Sequence, residues 1–230
     1  MLLAHTLRKE GAVKVSAIFP YMSYLRADKD IKKASLAGRW LGDMLKVSGV
    51  DEVLTIEVHS KRNKVIFPIP IRSIGVVGAF SKFFKNNIDL SIVAPDMGAI
   101  ERCKKFAKLL GVKKIGYFFK KRTKKGIVMS GLRGLIGKRV ILFDDILDTG
   151  QTLIHAVSRL KKLNIEEINI CIAHGLFTRN DWKSLLKMGV RKIYCTNSAS
   201  FNKKYLIPKN SKIKVIDIYS IIQDYLDKNK

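Results

Sequence analysis

Thiols are scarce in this chain: three cysteines in 230 residues, Cys103, Cys171 and Cys195, none at metal-binding spacing and each in an apolar, helix-like or strand-like context. That excludes a disulfide framework and a thiolate metal centre, and reads as reduced core thiols in a cytoplasmic protein. No apolar run approaches a membrane span. The opening Met1-Leu-Leu-Ala4 is too short for the apolar segment of a signal peptide, and His5 and Arg8 follow at once. Low-complexity tracts, Gly/Ser linkers and internal repeats are missing too, beyond a loose alternation of strands and helices. Acidic residues are few. Nineteen Asp and Glu stand against 44 Lys and Arg, a formal charge of +25, which raises the question of a nucleic-acid partner. Lysine is spread through nearly every element, however, and the one dense run is Lys120-Lys-Arg-Thr-Lys-Lys125. Anionic substrates account for that charge as well, so nucleic acid stays an alternative and not the favoured expectation.

What is present is globular: 47% hydrophobic and 27% charged residues, enough for a good core in one large domain or two small ones. The most informative stretch is Arg139-Val-Ile-Leu-Phe-Asp-Asp-Ile-Leu-Asp-Thr-Gly-Gln-Thr152. Its apolar run Val140–Phe143 predicts a buried parallel strand, and from Thr152 apolar residues recur at helical spacing. The loop between them lies at the carboxyl end of a strand, where α/β proteins bind ligands. Thr149, Gly150, Gln151 and Thr152 fall where the helix begins, so their backbone N–H groups lack helical acceptors and, with two hydroxyls, suit a phosphate. Gly150 lets backbone come close to a ligand. Asp144 and Asp145 would repel a bare polyphosphate but accept hydrogen bonds from a sugar diol. The combination points to a sugar phosphate. No Lys follows the Gly, which excludes the nucleotide P-loop.

Taken in order, a helix is expected over 2–10, a strand over 13–19, a helix over 31–47 and a strand over 52–58 ending at His59. Residues 64–71 read as an extended, Pro-marked connection and the best domain boundary. A helix over 74–84 and a strand over 90–94 follow, then a helix over 100–110 stopped by Gly111. Residues 114–119 read as a strand leading into a basic loop. Beyond the sugar-phosphate segment come a strand over 168–173, a helix over 181–188, strands over 192–195 and 212–216, and a helix from Tyr219. Strands alternating with helices predict an α/β protein with parallel sheets.

The Asp144–Thr152 segment resembles the ribose-phosphate signature of the phosphoribosyltransferase fold. A wider set of motifs resembles the ribose-phosphate pyrophosphokinase family along essentially the whole chain. Tyr24-Leu-Arg-Ala-Asp28 is similar to that family's Tyr-Ala-Arg-Gln-Asp, Glu57-Val-His59 to its Asp-Leu-His, and Phe67-Pro-Ile-Pro70 to the Phe-x-x-Pro that follows. Ala94-Pro-Asp-Met-Gly98 matches Ser-Pro-Asp-x-Gly, Lys120-Lys-Arg122 matches Lys-Arg-Arg, and Phe143-Asp-Asp-Ile-Leu-Asp-Thr149 matches Val-Asp-Asp-x-Ile-Asp-Thr. His174-Gly-Leu-Phe177 and Thr196-Asn197 match in the family's order.

This resemblance implies two phosphoribosyltransferase-like parallel-sheet domains, 1–72 (incomplete) and 73–230. It implies ATP and ribose 5-phosphate as substrates, Mg2+ as cofactor, and a homo-oligomer. Arg26, Asp28 and His59 would contact ATP, and His59 with Asp96 would hold magnesium. Lys120 and Arg122 would lie on a mobile catalytic loop. Asp144, Asp145, Asp148, Thr149, Gly150, Gln151 and Thr152 would bind ribose 5-phosphate. The sequence also departs from the pattern. The family's opening strand–helix units, with their adenine-binding Phe and Glu, have no counterpart here, which predicts an exposed sheet edge. Ala27 replaces a Gln of the ATP site, Met97 and Ala99 alter the loop after Asp96, and Gln151 replaces a small residue. A phosphoribosyltransferase and a non-catalytic regulatory or nucleic-acid-binding relative are the competing readings.

Overall fold

The computed structural model describes residues 1–22, 24–25, 37–58, 65, 67–84, 89–123, 126–199 and 212–229, and for 120–123 and 126–130 the backbone alone. Arg26, Asp28 and His59 lie outside the described residues, as do the side chains of Lys120 and Arg122. The chain forms two compact units: 1–75 joined by 222–230, and 76–221.

The first unit is built on a three-stranded parallel sheet in the order β1 (Ser16–Phe19), β2 (Glu52–Ile56), β3 (Ile71–Ile74). All five residues of β2 are buried, as a central strand covered on both faces requires. Helix Leu2–Lys9 is tied down by Arg8. Its guanidinium donates to the carbonyls of Gly49 (3.0 Å), Ala12 (2.7 Å) and Val13 (2.6 Å) and pairs with Asp51. Asp51 in turn accepts the Val15 N–H at 2.6 Å, which holds its carboxyl below the usual range. Helix Ala37–Val47 packs through Gly42, where a Cβ would come within 2.4 Å of the Pro68 ring. Glu52 is the buried charge of this sheet, faced by Lys14 at 2.7 Å and Arg72 at 2.9 Å. Hydrogen bonds from Lys14 and then the Ser16 hydroxyl, with the charges of Lys14 and Arg72, bring its carboxyl down to about 2.

The second unit carries a seven-stranded sheet in the order β10-β9-β8-β7-β4-β5-β6. The strands are β4 (Leu90–Ala94), β5 (Lys114–Thr123), β6 (Gly126–Gly134), β7 (Arg139–Leu147), β8 (Glu167–Gly175), β9 (Lys192–Thr196) and β10 (Ile213–Ile216). All neighbours pair in parallel except β5 with β6. Val140, Ile141, Leu142 and Phe143 are fully buried, as are Ile170 and Ile172 of β8 and Leu153, Ala156, Val157 and Leu160 of helix Gln151–Lys161. Cys103, Cys171 and Cys195 are free and buried; burial pushes their thiols up, to about 12 for Cys195. From β4 the chain runs outward to β5 and β6, returns to β7 on the other flank, and proceeds away through β8, β9 and β10. The reversal falls between β4 and β7. A crevice opens at such a switch point, beyond the carboxyl ends of the two strands.

Two expectations are corrected. Residues 74–84 form no single helix: Ile71–Ile74 is a strand, and the helix covers Val77–Ser81 alone. The Pro-marked segment leads into that strand at Ile71. Residues Lys120–Thr123 of the basic run continue β5 in an antiparallel ribbon, with Lys120 opposite Met129 and Arg122 opposite Ile127, instead of opening a loop after residue 119. The ribbon's base is fixed by Gly134, at φ +95°, where a Cβ would fall 2.1 Å from the Ile115 carbonyl. No side chain fits there.

Candidate functional site

The switch point gathers the sugar-phosphate candidates of the second unit. Pairing of β7 with β4 ends at Leu142–Val93, whereas pairing with β8 continues to Leu147–Gly175. Asp144 and Asp145 thus stand on the strand itself, beyond the last β4 pair. The strand runs to Leu147 where the sequence suggested a loop from Asp144. The Asp145 N–H donates to Asp144 Oδ1 at 3.0 Å. Arg102, from helix Ile100–Leu110, reaches both acids: Nη1 is 3.9 Å from Asp144 Oδ1, and Nη2 is 3.4 Å from Asp145 Oδ2. Burial, then the charges of Asp145 and Asp96, raise the Asp144 carboxyl well above its ordinary value, and Arg102 opposes them. The acids are crowded and held together by one guanidinium.

Arg102 was not singled out by sequence reasoning. A signal existed. The first turn of a helix favours acids, because the dipole is positive there, and an arginine in that turn right after Asp96-Met-Gly98 needs a carboxylate partner elsewhere. Arg102→Leu is expected to cost about 3–5 kcal/mol at pH 7.5, the scale for removing one partner of a buried ion pair. The cost should shrink as pH falls and Asp144, whose carboxyl is raised by burial and by neighbouring charge, takes up its proton. Urea unfolding as a function of pH checks this; an equal loss throughout would mean packing, not charge, is responsible.

Helix Gln151–Lys161 starts from Gly150, which has φ +87° and no side-chain cap bond. The N–H groups of its first turn point out of the helix without intrahelical acceptors. A Cβ on Gly150 would lie 3.2 Å from Trp182 Cα and 3.3 Å from Leu147 Cδ1. The glycine is therefore required by the positive φ and by protein packing. The segment before this helix is pinned by residues that follow β8: the Leu176 and Phe177 N–H groups both donate to the Leu147 carbonyl (2.8 and 3.2 Å), and the Thr178 hydroxyl donates to Asp148. Asp148, Thr149 and Gly150 join β7 to the helix that begins with Gln151 and Thr152.

Asp96 caps the short helix Met97–Ala99, its Oδ1 accepting the Gly98 N–H at 2.9 Å. It lies two residues beyond the carboxyl end of β4, on the β4 side of the switch point, and its charge is one of those that raise the Asp144 carboxyl. Among the described residues no group of three or more His, Cys, Asp or Glu is arranged to hold a metal ion. Magnesium does not require one: it takes one or two carboxylates and completes its shell with water and substrate phosphates. The hard oxygen donors here, and like charges that a cation would relieve, fit that ion.

The remaining motifs have structural partners. His174, 2% exposed, lies with Nδ1 2.7 Å from Ser198 Oγ, and Thr196 Oγ1 donates to the Ala173 carbonyl at 2.6 Å. Asn197 donates to Asp217 at 2.9 Å and accepts the Ile218 N–H at 2.9 Å. These bonds lock the carboxyl ends of β8, β9 and β10 together.

Comparison with known proteins bears on the family and the fold. Residues 64–203 match the family model described as the phosphoribosyl transferase domain. The ribose-phosphate pyrophosphokinase of Clostridium acetobutylicum is 26% identical over 227 residues, covering 96% of this chain and 71% of the relative. That of Aquifex aeolicus is 26% identical over 228 residues, with 96% and 72% covered. The crystal structure of phosphoribosylpyrophosphate synthetase from Mycobacterium smegmatis superposes with a TM-score of 0.84 over 99% of this chain and 76% of that one, at 23% identity. It shares the fold.

Proposed function

We propose, for a chain that belongs to the phosphoribosyl transferase domain family and within it to the ribose-phosphate pyrophosphokinases, that it moves the β,γ-diphosphoryl group of ATP onto the C1 hydroxyl of ribose 5-phosphate. The products are phosphoribosyl pyrophosphate and AMP, for nucleotide biosynthesis. One observation carries the reading: the Asp144–Asp145 pair, faced by Arg102, beside an uncapped helix start at a switch point. A carboxylate pair accepts from adjacent ribose hydroxyls, and the Thr149–Thr152 turn donates to the 5-phosphate. The sugar is thereby oriented with C1 free to react.

The rest of the reaction needs little covalent help. An attacking hydroxyl must be positioned, and charge on the transferring phosphoryl oxygens must be neutralised. Lys120 and Arg122, on the β5–β6 ribbon, are the cations assigned to that charge. Arg26 and Asp28 are assigned to ATP. His59 and Asp96 would hold magnesium, which when bound supplies further positive charge at the phosphates. A homo-oligomer is the assembly proposed with this function.

The test is AMP release from ATP by purified protein in magnesium, with and without ribose 5-phosphate. Ribose-dependent AMP is the expected result. Its absence, with ribose 5-phosphate still binding by calorimetry, would reduce the protein to a sugar-phosphate module, and absence of both would remove the reading.

A further inference from the structure

The second unit has a cavity of about 550 Å³ at the opposite end of the sheet from the acids. Its wall includes Asp89, the residue before β4, Lys114, the first of β5, and Lys138, the residue before β7. A nine-residue strand such as β7 spans roughly 25–30 Å, so this cavity is separate from the Asp144–Thr152 crevice. Its volume lies in the range of small-molecule sites. It is not part of the function proposed above.

Its lining has two characters. Phe118 and Ile165 are buried, and Leu132, Ile136 and Leu163 add apolar surface around them. Above that surface stand four cations, Lys114, Lys138, Arg159 and Lys162, with Asp89 as the one carboxylate in the wall. Asp89 is committed: it pairs with Lys114 and accepts the Lys138 N–H at 2.9 Å. Lys138 Nζ has Glu166 at 3.7 Å. Arg159 and Lys162 are exposed and make no ion pair among the described residues. They sit at the carboxyl-terminal end of helix Gln151–Lys161, where the dipole favours cations. That accounts for their charge. It does not account for an apolar hollow of ligand size beneath them.

We infer that this cavity binds a small organic anion, its apolar body against Phe118, Leu132 and Ile165 and its anionic head between Arg159 and Lys162. The helix end repels an anion, so side-chain cations alone provide the attraction, and affinity should fall with ionic strength. Leu132 lies on β6 directly opposite Phe118 of β5. An occupant would therefore brace the base of the ribbon that carries Lys120 and Arg122.

The probe is anilinonaphthalene sulfonate, an anion with an aromatic body, titrated by fluorescence at low salt. Saturable binding at one site, unaffected by saturating ribose 5-phosphate, is expected. Arg159→Gln/Lys162→Gln should weaken it about ten-fold, and so should Leu163→Asp. All three residues are exposed, so the variants should stay folded, with melting lowered only by the small loss of charge at the helix end. No saturable binding, equal affinity in both variants, or displacement by ribose 5-phosphate would overturn the site. The last outcome would assign the probe to the crevice instead.

Discussion

Asp144→Asn and Asp145→Asn are each expected to lower ribose 5-phosphate affinity about 100-fold, because each removes charged acceptors for ribose hydroxyls. The first should at the same time raise the melting temperature. Asp144 sits among Asp145 and Asp96 in a buried strand end, and its carboxyl is raised by burial and by those charges. A raised acid binds its proton more tightly folded than unfolded. The folded state is therefore relatively favoured in acid, and that stability is lost as pH climbs from about 3.8 through the raised value. At pH 7.5 the native charge opposes folding. Removing it should return about 1 kcal/mol or more, the scale on which single buried charges act. Calorimetry and melting curves at pH 4 and pH 7.5 separate the effects. The gain should be present at pH 7.5 and small at pH 4. A fall in melting temperature at pH 7.5 would show that Asp144 is held by bonds that outweigh the repulsion.

Lys120→Ala should lower kcat about 1000-fold, in the range found for cations that stabilise a transferring phosphoryl group, while changing KM for ATP no more than about three-fold. The asymmetry follows from the proposed role: charge accumulates on the phosphoryl oxygens during transfer, and a cation aimed at it contributes mainly then. Single-turnover measurement with saturating ribose 5-phosphate gives the chemical step directly. Equal loss in kcat and affinity would make Lys120 a binding residue and nothing more. Arg122→Ala should behave alike.

Much of the second unit was legible because its signals are local. The Val140–Phe143 run, the acids after it and the Thr149-Gly150 turn lie within one short stretch, and Gly111 marks a helix end with φ +67°. What escaped depends on distant partners. Strand Ile71–Ile74 is four residues long and follows Pro70; only its pairing with Val53–Ile56 makes it a strand. Strand Gly126–Gly134 carries three glycines and a serine, a poor strand composition, yet antiparallel pairing with β5 organises it. Arg102 was hidden for the same reason, since its two acids lie more than forty residues downstream.

The geometry of β5 has a mechanical consequence. Its pairing with β4 covers only Lys114–Tyr117, while its pairing with β6 runs on to Thr123 and shifts register between Phe118 and Phe119. The outer part is thus a cantilever: a two-stranded beam, clamped at one end by the seven-stranded sheet, with the irregularity placed at the clamp. A beam of this kind moves its tip by pivoting at the root while its own backbone bonds stay made. Under the proposed function, such a beam would carry its cations to the substrate at far less entropic cost than ordering a loose loop residue by residue.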